Sequence, residues 1–192
     1  GIANVTYIKN YKLNGLIGYD IGPGNCLIDL WIRMNTKKKY DFKGLIAKKG
    51  KCDIKVFYRM VSKLRKKNNI SLPQKYSFDI KDFTLTDDFK KLSLEDGAAT
   101  LTEFTILLLF DFIRKTKNEK IILCGGGRKN TFIINELKKI FNKKQLLLID
   151  DYDINGDFIE SQAFAYLAIR SYLGLPISIP HTTGNKKPCS GG

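Results

Sequence analysis

The sequence predicts a mixed α/β domain, a sheet flanked by helices, and three observations carry that expectation. The chain opens on two strand-like runs joined at Asn14-Gly15. From residue 120 onward, apolar strand-like runs alternate with helix-forming stretches. Two strand-like runs end in glycine-rich corners that open onto helices. An opening hairpin followed by β-α-β-α implies antiparallel and parallel strands in one mixed sheet, with the helices covering it. At 192 residues, the chain fits one domain spanning 1–192 and can bury most of the surface its unfolded form exposes.

Each element has its own signal. Ile2 to Ile8 reads as a strand, and Leu16 to Asp20 as its return. After Gly22-Pro23-Gly24-Asn25, the residues Cys26-Leu27-Ile28, Leu30-Trp31-Ile32 and Met34 give a helix with one wide apolar face. Residues 36 to 52 are polar, basic and glycine-punctuated, which predicts a loop. Asp53 then caps a helix whose apolar positions, Ile54, Phe57, Met60, Val61 and Leu64, recur three and four apart. Asn68 to Asp88 reads as irregular, and Leu94 to Lys115 as a long helix buried on several sides. The alternation follows: strand 120–124, helix 130–141, strand 145–149, helix 157–173. Asp157 is the expected N-cap of that last helix, Gly174 its stop, and Pro176 bars continuation.

Composition narrows the function classes. Hydrophobic residues make up 43% and charged residues 27%, the balance of a folded globular chain. The four cysteines, Cys26, Cys52, Cys124 and Cys189, form no C-x-x-C pair, so neither a zinc site nor a disulfide framework is indicated and reduced thiols in the cytoplasm are expected. The most apolar run, Phe104 to Phe110, is too short to span a bilayer. Net charge is +14, of which +12 falls between Arg33 and Lys67, where fourteen Lys/Arg face only Asp41 and Asp53. That segment leaves a basic nucleic-acid-binding module open, but no zinc-finger spacing, aromatic RNA-binding signature or helix-turn-helix accompanies it; a solvated lysine-rich face is the preferred reading. The chain starts at Gly1 already inside a strand pattern and closes on Gly191-Gly192, which raises the expectation of a piece of something longer.

The glycine corners hold the chemistry-bearing candidates. A strand that ends in glycines and starts a helix gathers backbone N–H groups at a helix N-terminus, a seat for phosphate or another polar ligand. In the first corner Asp20 ends a strand one residue before the turn, where a carboxylate acts as a general base, holds Mg²⁺, or simply bonds turn amides. Gly22 and Gly24 bracket Pro23, which fits a close backbone approach or a plain tight turn. In the second corner, Gly125-Gly126-Gly127 follows an apolar run and suits an adenosine face or a phosphate, with Asn130 as a cap or polar contact. Glu160 falls in the first turn of the last long helix, where the dipole favours an acid and a sugar hydroxyl is also within its chemistry. His181 reads as a surface histidine in a loop after Pro180. Asp150, Asp151 and Asp153 read as a solvated acidic loop.

At these residues the chain resembles the anhydro-N-acetylmuramic acid kinases, bacterial sugar kinases of the actin/hexokinase-like superfamily. The stretches concerned are Gly1 to Thr6, Tyr19 to Asn25, Leu27 to Trp31, Ala99-Thr100-Leu101-Thr102-Glu103-Phe104-Thr105, Cys124 to Gly127 with Asn130, Glu160-Ser161-Gln162-Ala163-Phe164-Ala165, and the tail from Gly174-Leu175-Pro176 through Thr182-Thr183-Gly184. The resemblance implies a ribonuclease H-like, actin-like ATPase lobe that uses ATP and Mg²⁺ in the cytoplasm on a small-molecule amino sugar, 1,6-anhydro-N-acetylmuramate. It implies Asp20 as the base that deprotonates the attacking water, and Gly22, Gly24 and Asn25 as a phosphate- and sugar-side turn. It further implies that Gly125, Gly126, Gly127 and Asn130 lie against adenosine and that Glu160 contacts the sugar. Such a kinase carries a first phosphate loop, Gly-Thr-Ser-x-Asp-Gly, that has no counterpart here, and its Pro-Lys-Ser segment is matched only in part by Gln74 to Lys81. The chain therefore corresponds to a C-terminal lobe with its N-terminal lobe missing, expected to be inactive alone. A homodimer, a pseudokinase and an actin-like kinase lobe of other sugar specificity stay open.

Overall fold

A computed structural model describes residues 1–8, 15–68, 77–116, 120–141 and 145–191. Strand β1 (Ala3–Ile8) pairs antiparallel with β2 (Leu16–Gly22), with Asn4 opposite Asp20 and Ile8 opposite Leu16. Asn14 lies outside the described residues. Helix α1 (Cys26–Asn35) buries Leu27, Ile28, Trp31 and Ile32, the apolar face its spacing predicted. Helix α2 (Ile54–Asn68) follows, with Asp53 Oδ1 accepting from the Val56 N–H at 2.9 Å as the N-terminal cap. Helix α3 (Leu94–Thr116) runs through the middle of the molecule and packs against α1, α2 and β2. The pair β3 (Ile121–Leu123) and β4 (Leu146–Leu148) is parallel, with α4 (Thr131–Ile140) between them in sequence. Then come α5 (Ile159–Tyr172) and a one-turn helix α6 (Pro180–Thr183), which packs on β2.

The core gathers around α1 and α3. Ile28, Ile32, Leu101, Leu137 and Leu146 are almost fully buried in one cluster, which binds α1, α3, α4 and β4 together. Trp31 packs edge-on against Phe89 at 5.6 Å, and its Nε1 donates to the Leu94 carbonyl at 2.9 Å. The segment 36–52, expected as loop, is pinned by two short 3₁₀ turns. The buried Asp41 carboxylate accepts from the N–H groups of Ile46 (2.8 Å) and Ala47 (2.9 Å).

The molecule is mixed α/β, but the strands do not form the single mixed sheet that the sequence predicts. The described strands make two separate two-stranded sheets, β1-β2 and β3-β4. Alternation of strand and helix fixes the type of each element, whereas pairing depends on which edges meet in space. Strands of three residues offer too short an edge to dictate that meeting. Helix α3, packed against both β2 and α4, stands as the shared support instead.

Candidate functional site

The first corner is closed. Gly22, Pro23 and Gly24 are buried. A Cβ on Gly22 would sit 2.6 Å from Leu108 Cδ1 of α3; on Gly24, at φ +53°, it would sit 2.5 Å from the Gly1 carbonyl oxygen and 2.8 Å from the Ala3 nitrogen. Thr105 of α3 donates its hydroxyl to the Gly24 carbonyl at 2.7 Å. The Asn25 N–H donates to Gly1 O at 3.0 Å, and the Cys26 N–H to Pro23 O at 2.9 Å, so both amides are already engaged. Asn25 precedes α1 in helical backbone geometry and makes no side-chain capping bond. Close packing therefore accounts for Gly22 and Gly24 without a ligand.

Asp20 stands at the edge of this corner, half-buried on β2 opposite Asn4. Its Oδ2 accepts from the Phe78 N–H at 2.6 Å, which brings the segment after residue 76 over the carboxylate. Phe78 in turn packs against Phe83 at 5.0 Å. A carboxylate has about four acceptor positions, so one amide bond orients the group and leaves it capacity for a water. Of the Gln74–Lys81 stretch, residues 74–76 lie outside the described residues.

The second corner is open. Gly125 has φ +70° and ψ −172°, backbone that only glycine adopts without strain, and a 3₁₀ turn Gly126–Lys129 follows. A Cβ added at Gly125, Gly126 or Gly127 would meet no atom within 4 Å. Asn130 is the N-cap of α4: its Oδ1 accepts from the Ile133 N–H at 3.3 Å, and the residue is buried under Gly44, whose Cβ would sit 2.3 Å from that oxygen. Of the two roles expected for Asn130, the cap is the one the structure displays.

Beneath this corner lies a charged cluster that sequence reasoning missed. Arg128 is only 8% exposed. Its Nε donates to Asp150 Oδ2 at 2.6 Å and its Nη2 to Asp150 Oδ1 at 3.1 Å. Nη1 donates to Asp157 Oδ1 at 2.9 Å and to the Gly125 carbonyl at 3.1 Å. The guanidinium holds the Asp150 carboxyl down to about 2, with a smaller contribution from the Gly156 N–H. Asp157 is also lowered, by hydrogen bonds from Lys129 and Arg128. Arg128 itself is raised, chiefly by its bond to Asp150. These contacts extend one expectation and overturn another. Asp150 is exposed, as expected, and is also a bidentate partner of Arg128. Asp157 does not cap α5; Phe158 occupies the N-cap position, without a side-chain bond, and the Asp157 carboxylate accepts from Arg128 and Lys129 instead. The sequence carried part of the signal, a strand–helix–strand alternation that favours a parallel pair; the structure supplies the register, Leu123 opposite Leu148, which brings the residues after each strand together.

Glu160, the second residue of α5, is exposed. His181 falls in α6 rather than a loop. Arg59 and Lys63 of the basic segment lie with Tyr58 along an exposed face of α2, and Arg59 pairs with Asp88. The candidates thus fall into three groups: Asp20 with Gly22, Gly24 and Asn25; Gly125–Gly127 with Asn130; and Glu160 at the start of α5. Helix α3 backs the first group directly and the second through α4.

An α/β chain with strand-to-helix glycine corners and a half-buried carboxylate two residues before a strand's end belongs to a large class of ligand-handling folds. Comparison with known proteins narrows it to one. The family model for anhydro-N-acetylmuramic acid kinase matches residues 1–192. Curated relatives bearing that name include those of Pelagibacter ubique (strain HTCC1062), 45% identical, of Zymomonas mobilis, 41%, and of Brucella canis, 35%. In each, all of this chain is matched, against 52%, 51% and 51% of the relative. The chain belongs to the anhydro-N-acetylmuramic acid kinase family, and it spans about half the length of these relatives.

Proposed function

We propose that this chain is the C-terminal lobe of an ATP-dependent 1,6-anhydro-N-acetylmuramate kinase of cell-wall recycling, working in the cytoplasm together with an N-terminal lobe. The observation that carries the reading is the family match along the whole chain. The lobe is read as actin-like, with nucleotide bound at the second corner and sugar at the first. Asp20 takes a proton from a water that attacks the anomeric carbon. The bond from that carbon to the bridging oxygen breaks, and this oxygen attacks the γ-phosphorus of ATP as the bond to ADP opens. The products are N-acetylmuramate 6-phosphate and ADP.

Each residue has a physical part in that scheme. The Phe78 amide orients the Asp20 carboxylate. The uncovered backbone of Gly125–Gly127 lets adenosine lie flat against the chain, and Arg128, tied to Gly125 and to both aspartates, keeps the corner in shape. Asn130 acts by capping α4 beneath this surface. Gly22 and Gly24 hold the turn that carries Asn25 toward the sugar, and Glu160 bonds a sugar hydroxyl. Mg²⁺ supplies charge neutralisation at the transferring phosphoryl group. Such an ion needs only one or two protein carboxylates beside the phosphates.

Mixing the chain with the half that its relatives possess and it lacks tests this reading. The mixture should phosphorylate the anhydro-sugar when given ATP, each half alone should not, and Asp20→Asn should remove the activity. Full turnover by Asp20→Asn would refute the base assignment; an inactive wild-type mixture would refute the kinase reading.

A further inference from the structure

Helix α5 is apolar on nearly every side, yet none of its fourteen residues is buried. Tyr172 is 90% exposed and Phe164 72%, and Tyr166, Ile169 and Leu173 just beyond the helix are also exposed. The chain's own tail covers a strip only. Arg170 Nε donates to the Pro176 carbonyl at 2.7 Å, and Ser171 Oγ to the Gly191 carbonyl at 3.3 Å; Ile159, Leu167, Arg170 and Ser171 are half-buried and the rest of the helix is exposed. A helix apolar all round is built for an interior, and an exposed apolar surface of this extent marks an interface.

Two further observations choose the occupant. The chain accounts for only about half the length of its relatives, so a partner piece of similar size exists in them that α5 has not met here. Exposed apolar side chains also point in several directions, which a groove satisfies and a flat two-fold contact between copies does not, since that contact covers one face of each helix. Charge does not oppose burial: within α5 only Glu160 and Arg170 are charged, and Arg170 already bonds the tail and lies over the Tyr166 ring. Glu160 opens this same helix, so whatever receives α5 also closes over that carboxylate.

We propose that α5 is the docking element for the complementary half of the kinase, which receives it in an apolar groove; this rests on the two-lobe reading above. The test uses the half of the Pelagibacter ubique relative that this chain does not match, made as a separate polypeptide, with binding measured by calorimetry in the absence of nucleotide and sugar. Wild-type chain and Tyr58→Asp, a substitution on exposed α2, should bind alike. Ile169→Asp and Tyr172→Asp should each weaken binding at least tenfold while the circular dichroism and melting of the isolated chain stay unchanged. Should either aspartate lower the melting temperature, Phe164→Ser replaces it with the same expectation. Equal binding by the α5 variants overturns the proposal, as does a wild-type chain that ignores the other half or pairs with itself through α5. A complex that forms through α5 but does not phosphorylate leaves this surface standing and sinks the kinase reading. An active complex insensitive to these substitutions does the reverse.

Discussion

The two glycine corners look alike in sequence and are opposites in space. Around Gly22 and Gly24 every direction a side chain would take is occupied, by Leu108 and by the backbone of Gly1 and Ala3. A Cβ added at Gly125, Gly126 or Gly127 would meet nothing within 4 Å. In the closed corner the missing side chains make room for the protein itself. In the open corner packing asks for no glycine, and only Gly125 is required by its backbone angles. The exposed backbone of Gly126 and Gly127 is the surface on which the proposal above places the nucleotide. Glycine content alone does not mark a ligand site; what surrounds it does.

Substitutions can break or sharpen this contrast. The largest effect is expected for Gly24→Ala, where a left-handed backbone and a backbone clash combine. It should cost roughly 2–4 kcal/mol, read as a lowered urea midpoint. Gly125→Ala meets no clash and should cost about 1–3 kcal/mol through backbone strain alone. Equal losses at the two positions would erase the distinction drawn here. Asn130→Ala removes the α4 cap and should cost about 1 kcal/mol.

The Arg128–Asp150 pair predicts a pH window. Asp150 titrates at about 2 when folded, against about 3.9 in an unfolded chain. The unfolded chain therefore binds the proton first as pH falls. The pair's contribution is complete above about pH 4 and fades as pH drops toward 2; solvent around the carboxylate keeps it small. Asp150→Asn should flatten that limb of an acid titration followed by circular dichroism, and an unchanged limb would remove the pair from the account. Smallest of all, Gly126→Ala should move stability by less than about 0.5 kcal/mol. In the proposed two-lobe assembly it should nonetheless weaken ATP binding, measured by calorimetry, several-fold. A silent Gly126→Ala in both assays would leave the open corner without its assigned ligand.

Local chemistry sufficed to read the order and type of nearly every element from residues alone. The apolar spacing of α1 and α2, the Asp53 cap, the long helix α3 and the β-α-β-α alternation all depend on contacts within a few residues, and a sequence displays those directly. The side-by-side meeting of chain segments far apart was another matter. Whether strands joined into one sheet or two, which glycine corner was filled, and where Asp150 and Asp157 sent their charge were decided by long-range contacts. Arg128 shows the limit most clearly: one buried guanidinium drew in carboxylates 22 and 29 residues away and cost α5 its expected cap. The exposure of α5 belongs to the same kind of fact. Its apolar residues are plain in the sequence, but only the folded chain reveals that, among the described residues, the tail covers no more than a strip of them.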